Sequence, residues 1–301
     1  PAYLFVWPCA ITSRNIGRIC RVSWIMCKPI WRMRRQPRYA IGWKPMHPDW
    51  AARMNDPQEP RLMSVPITHA MVLAAGLGTR MRARAEDPPK PLTEIAGRTL
   101  LDRLLDRLEH AGMTRIVINL HHKAERISDH LAQRDGAEIV YSDERTELLE
   151  TGGGVKKALP LLGPDPFFVC NGDILWQENA DILAALRAGF DVARMDALLM
   201  LAPFSACTGY DGQGDFDQHA DGRLTRRQGE QAPFVFGGVQ ILSPAAFEAT
   251  PNGAFSLNHI YDSAAETDRL YGEVLDGRWM HVGTPEGVHA AQKILASGLS
   301  S

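Results

Sequence analysis

The stretch 71–92, MVLAAGLGTRMRARAEDPPKPL, constrains this chain more than any other. Residues 71–74 form a short apolar run of the kind that makes a buried parallel strand, and they pass directly into Ala75, Gly76, Leu77, Gly78, Thr79 and Arg80. Glycines at a strand-to-helix turn leave successive backbone N–H groups uncovered. Such a turn cradles phosphate oxygens, and Arg80 and Arg82 add fixed positive charge at its rim. Lys90 follows between Pro89 and Pro91, whose rings restrict the backbone and narrow the directions open to the ammonium. Neither of the two common glycine-rich loops fits. A dinucleotide-binding G-x-G-x-x-G needs a third glycine where Met81 stands, and no Gly-Lys-Ser/Thr follows as a P-loop requires.

Downstream, short apolar runs alternate with amphipathic spacing. Leu100, Leu101, Leu104, Leu105, Leu108 and Ala111 recur at three- and four-residue steps and Gly112 supplies a stop, which predicts a core-facing helix. Strands are predicted over 116–118, 139–141 and 167–170, with helices over 124–131 and 155–161 between them. This βαβ order gives an α/β fold with a mainly parallel sheet flanked by helices, and ligands then sit at the carboxyl ends of the strands, where the Gly76 loop and Asp173 fall. Segments 197–200, 215–218, 224–225 and 234–242 read as a smaller, more antiparallel part, with Asp221-Gly222 as a hairpin turn.

Two further places carry chemistry. Asp173, one residue beyond Gly172 at the end of an apolar strand, suits a hard divalent cation bridging phosphate oxygens, and equally suits a cap on the next turn. In 149–154, LETGGG, the glycines let a flat base lie against bare backbone while Glu150 accepts from an imino hydrogen. Uracil and guanine carry that hydrogen and cytosine does not. The alternative is that Thr151 caps a helix and the glycines only turn the chain.

Together these segments resemble the sugar-phosphate nucleotidyltransferase family: L-A-A-G-x-G-T-R-M followed by K-P-L, then 148–163 (LLETGGGVKKALPLLG), 167–173 (FFVCNGD), 236–239 (FGGV) and 279–285 (WMHVGTP). The likeness runs from about residue 68 to residue 292. It implies a Rossmann-like domain that transfers a nucleoside monophosphate from a nucleoside triphosphate to a sugar-1-phosphate, with Mg²⁺ as cofactor and pyrophosphate as the second product. Within the family, the uninterrupted L-E-T-G-G-G and the short chain are most similar to N-acetylmuramate-1-phosphate uridylyltransferases, which implies UTP, N-acetylmuramate-1-phosphate and cytoplasmic cell-wall sugar recycling. Mannose-1-phosphate guanylyltransferases follow closely.

The resemblance also implies roles. Arg80 and the loop Ala75, Gly76, Leu77, Gly78 and Thr79 would hold the leaving phosphates, Lys90 the α-phosphate, and Asp173 the metal. Glu150, Gly152, Gly153 and Gly154 would hold the base, and Asn171, Gly238 and Asn258 the sugar. Asn258 and Asp262 also suit a capped surface helix. Relatives usually carry a second acidic metal ligand in W-x-D-x-G-T, where this chain has His281. Imidazole is softer than carboxylate and Mg²⁺ prefers oxygen. Metal ligation, a hold on a metal-bound water, phosphate binding and plain packing therefore all stand open for His281. So does a non-catalytic regulator that binds a nucleotide sugar.

Charge divides the chain. Residues 1–62 hold 11 of the 33 Lys+Arg and only 3 of the 35 Asp+Glu, a net of +8 against −10 for the remainder. They also hold 5 of the 7 Trp, and eight prolines from Pro8 to Pro66 interrupt any period. The expectation is a basic leader over 1–62, disordered or mis-assigned upstream sequence, and a nucleotidyltransferase domain over 63–301 starting at Met63. A nucleic-acid arm or membrane-surface arm is the alternative. The acidic remainder disfavours nucleic acid, whose backbone calls for clustered positive charge. No stretch approaches about 20 apolar residues, so no membrane helix is expected. The five cysteines show no C-x-x-C spacing and no disulfide framework, consistent with a reducing compartment. Monomer and homo-oligomer are both left open.

Overall fold

The computed structural model describes residues 66–76 and 87–298. Strand β1 (His69–Leu73) is buried at Ala70, Met71 and Val72, as an interior apolar run dictates. After a 3-10 turn over Lys90–Leu92, a small ladder of β2 (Glu94–Ile95) and β3 (Arg98–Thr99) leads into α1 (Leu100–His110). Thr99 caps that helix by accepting the Asp102 amide at 3.0 Å. The five leucines with helical spacing are each no more than 2% exposed, and Gly112 takes φ +82° where the helix stops. Each buried leucine contributes roughly 1.5–3 kcal/mol.

Next come β4 (Arg115–Leu120), α2 (Ala124–Leu131), β5 (Glu138–Asp143), α3 (Glu150–Leu162) and β6 (Phe167–Asn171). β4 pairs in parallel with β1 and β5, and β6 pairs in parallel with β1, so the expected parallel half is present. One boundary differs. The helix expected over 155–161 begins at Glu150, whose φ is +57°, and the three glycines sit in its first turn.

The remaining elements are β7 (Ile174–Glu178), α4 (Ile182–Gly189), β8 (Ala197–Pro203), β9 (Cys207–Thr208), β10 (Phe216–Gln218), β11 (Leu224–Arg226), β12 (Phe234–Leu242), α5 (Asn258–Glu266), β13 (Leu270–Val274), β14 (Gly277–His281) and α6 (Pro285–Gly298). β10 and β11 form the expected hairpin, with Gly222 at φ +88° in its connection. The antiparallel part is not a separate layer. β12 pairs antiparallel with β6 and with β8, which makes one nine-stranded sheet ordered β11-β10-β12-β6-β1-β4-β5, with β8 beside β12 and β13 beside β8.

A second sheet, β7-β14-β9, was not foreseen. Its antiparallel register sets His281 opposite Ile174 and so carries His281 to the neighbourhood of Asp173. Ile95, Leu100, Leu175, Met280, Val282 and Ala291 are buried together beneath it.

Candidate active site

The end of the site expected to meet phosphate is built where β1 and β6 stop. The Gly172 amide donates to the Leu73 carbonyl at 2.9 Å, and a Cβ at 172 would stand 2.9 Å from that same oxygen. Only glycine allows the approach, which sets Asp173 at the carboxyl end of the sheet. Lys90 arrives from the 3-10 turn anchored by buried Pro91, and its Nζ donates to Asp173 Oδ2 at 2.5 Å. Lys90 is 12% exposed and Asp173 35%, so the pair lies on the wall of a cleft rather than inside the core. Ala75 and Gly76 continue from β1, while Leu77, Gly78, Thr79 and Arg80 lie outside the described residues.

Behind that wall runs a buried polar chain. The Ala74 amide donates to Asn119 Oδ1 at 2.7 Å, and Asn119 Nδ2 donates to Glu144 Oε1 at 2.9 Å. Glu144 is fully buried, and its other oxygen accepts from the Leu149 amide at 3.5 Å. A Cβ at Gly154 would fall 2.7 Å from Glu144 Oε1, so the absent side chain makes room for the carboxylate. The exit of β1 is thereby tied to the start of α3.

Lys90, Asn171, Asp173, Asn258 and His281 line one cavity of about 290 Å³. Gly238 is not part of that lining but lies against two residues that are, Ile174 and Asn171. It takes φ +83° within an irregularity of the β12–β8 register, and a Cβ there would lie 2.6 Å from Ile174 Cγ2 and 3.1 Å from Asn171 Nδ2. The Trp279 indole donates to the Gly237 carbonyl at 3.0 Å, and the His281 ring stacks on Trp279 with centroids 5.9 Å apart. His281 Nδ1 lies 3.1 Å from the Gly209 carbonyl, an acceptor only. In the neutral ring Nδ1 therefore carries the proton and Nε2 the lone pair.

Glu150, Gly152, Gly153 and Gly154 do not line this cavity. The expectation that the Gly152 and Gly153 amides stand bare for a base is corrected, because both donate to the Phe255 carbonyl, at 2.8 and 3.1 Å. Their missing side chains admit Phe255 and the Gly253 carbonyl. Nor does Thr151 cap α3; its hydroxyl accepts the Leu257 amide at 2.9 Å.

Sequence reading missed Arg226, which lines the cavity from β11. Its Nε donates to Asp262 Oδ1 at 2.7 Å and its Nη2 to Asn258 Oδ1 at 2.9 Å, while the guanidinium lies 4.8 Å from the Phe216 ring centroid. The one available signal was the i, i+4 pair Asn258 and Asp262, which puts two acceptors on one helix face. Tyr261 lines the cavity too, and burial pushes its phenol above the ordinary range, so it stays a neutral hydroxyl.

Residues 70–203 match a family described as a MobA-like NTP transferase domain. The chain is 45% identical over 233 residues to N-acetylmuramate alpha-1-phosphate uridylyltransferase of Caulobacter vibrioides, covering 75% of this chain and 96% of that protein. It is 35% identical over 229 residues to the enzyme of the same name from Neisseria meningitidis serogroup B, covering 75% and 97%. Among solved structures, HddC from Yersinia pseudotuberculosis has a TM-score of 0.62 at 25% identity, covering 76% of this chain and 100% of that one. Because the likeness to both uridylyltransferases spans nearly their full length, at 45% and 35% identity, the chain belongs to the sugar-1-phosphate nucleotidyltransferases, in the family of N-acetylmuramate alpha-1-phosphate uridylyltransferases.

Proposed function

We propose that this protein transfers the uridylyl group of UTP to N-acetylmuramate-1-phosphate. The observation that carries the reading is the Lys90–Asp173 pair at the carboxyl ends of β1 and β6, on the wall of a cavity wide enough for a sugar. A sugar-phosphate oxygen attacks the α-phosphorus; the bond from that phosphorus to the bridging oxygen breaks, and pyrophosphate leaves with the electron pair. No covalent nucleophile is needed, since the attacking phosphate is already ionised. The obstacle is an anion approaching a polyanion, which fixed positive charge relieves. Lys90 meets the α-phosphate, Arg80 and the amides of 75–79 meet the leaving phosphates, Glu150 faces the base, and Asn171 and Gly238 meet the sugar.

The donor set fits a hard cation that stays largely hydrated. Among the described residues no group of three or more His, Cys, Asp or Glu could hold a metal by itself. Asp173 and the phosphate oxygens would therefore hold Mg²⁺, which commonly keeps several waters, with His281 Nε2 facing a bound water or a phosphate. When bound, the ion supplies charge neutralisation to the phosphates. The product belongs to cell-wall sugar recycling in the cytoplasm, a setting in keeping with the free thiols of Cys170 and Cys207. No helix among the described residues is long and apolar enough to cross a membrane.

Pyrophosphate release measured over a panel of triphosphates and sugar-1-phosphates tests the reading. UTP with N-acetylmuramate-1-phosphate should give the highest kcat/KM; a higher value for GTP with mannose-1-phosphate would overturn it, and no turnover with any pair would point to a regulator.

A further inference from the structure

We infer that Arg226 is the specificity-determining contact for the acidic side group of the sugar. The inference rests on the substrate proposed above and goes further by assigning a residue to the part of it that takes no part in the reaction. N-acetylmuramate differs from N-acetylglucosamine by an ether-linked lactyl group that ends in a carboxylate. A pocket built for it needs a cation besides those that meet phosphate.

The described lining of the cavity holds two full cations, Lys90 and Arg226. Lys90 is engaged at the phosphate end with Asp173, just past β6, whereas Arg226 stands on β11, three strands from β6 in the sheet. Its setting is that of a held receptor rather than a loose surface charge. The Nε edge is fixed by Asp262, Nη2 is fixed by Asn258, and the guanidinium lies over the rings of Phe216 and Tyr261 at 4.8 and 5.6 Å. Nη2 also donates to the Asn258 backbone carbonyl at 3.4 Å, so both of its N–H groups are taken, and Nη1, which has no hydrogen-bond partner among the described residues, is the donor left for a ligand. A carboxylate oxygen suits that donor, and holding the guanidinium in advance lowers the ordering cost of binding. The acidic residues of the cavity suit the neutral part of the sugar instead: Asp215 already accepts the Phe236 amide at 2.8 Å and, with Asp211, offers acceptors to hydroxyl groups.

The test compares kcat/KM for N-acetylmuramate-1-phosphate and N-acetylglucosamine-1-phosphate, each with UTP, in wild type, Arg226→Gln and Arg226→Lys, with thermal midpoints alongside. The wild-type preference for the lactyl sugar should fall roughly ten- to a hundredfold in Arg226→Gln, the cost of losing a charge-assisted contact, and recover in part in Arg226→Lys. An equal loss on both sugars, or an unchanged preference, would overturn the assignment and leave Arg226 as a clamp on α5. Should Arg226→Gln not fold, an Arg226→Lys enzyme with an unaltered preference would overturn it as well. A wild-type enzyme with no preference for the lactyl sugar would instead defeat the proposed substrate, and this assignment with it.

Discussion

Lys90 and Asp173 neutralise one another at the end of the sheet, and in the proposed reaction a triphosphate arriving there would compete for the ammonium. Lys90→Ala and Asp173→Ala should each lower turnover on the order of a hundredfold while leaving the thermal midpoint close to that of wild type, since both side chains reach a cleft. Near-normal turnover of either variant at saturating Mg²⁺ would remove its role. Gly154→Ala behaves differently. Its methyl group would meet a fully buried carboxylate and the Asn119 amide, so it should destabilise the protein by about 1–3 kcal/mol in urea unfolding. Lys90, Asn171 and Asp173, which the structure brings to one cavity, could be picked out in the sequence because proline or glycine beside each leaves few backbone shapes open. Arg226 was not, because the acceptors that hold it lie 32 and 36 positions further along the chain.

Among the elements, α1 shows most directly how spacing becomes packing. Leu104 is 2% exposed in the main core, and Leu104→Ala should cost about 2–5 kcal/mol. The same helix carries a pH-sensitive contact. Burial pushes the Asp102 carboxyl up, but hydrogen bonds from Thr99 and His130 and the charges of His130 and Arg134 more than offset this, and its pKa is lowered. A carboxyl lowered in the folded state contributes stability that is present above the ordinary carboxylate range and lost as pH falls through it. Asp102→Asn should therefore have a lower thermal midpoint at pH 7 and a shallower decline below about pH 4 than wild type. Equal acid slopes would show that the contact adds nothing. Apolar periodicity revealed α1 and the parallel strands. The β7-β14-β9 sheet escaped it because its register joins residues about a hundred positions apart and its strands show no clean alternation.

At the scale of the whole molecule, the α/β class was readable from strand and helix order, whereas the continuity of its two halves through β12 was not, since strand pairing across 60 or more residues leaves no local mark. The basic segment 1–62 lies outside the described residues, and the proposal that it is foreign to the working enzyme is open to direct measurement. A protein starting at Met63 should match the full chain in kcat/KM and thermal midpoint and gain solubility, because it sheds five tryptophans. A marked loss of either quantity would show that the segment supports the domain. The chain of contacts from Ala74 through Asn119 and Glu144 to the space at Gly154 has its own consequence for descent. A lineage that replaced Glu144 with an apolar residue would strand the Asn119 amide and open a void beside position 154, while one that added a methyl group at 154 would displace the carboxylate. Positions 119, 144 and 154 should therefore be inherited as a single character, kept or exchanged together among the descendants of this chain.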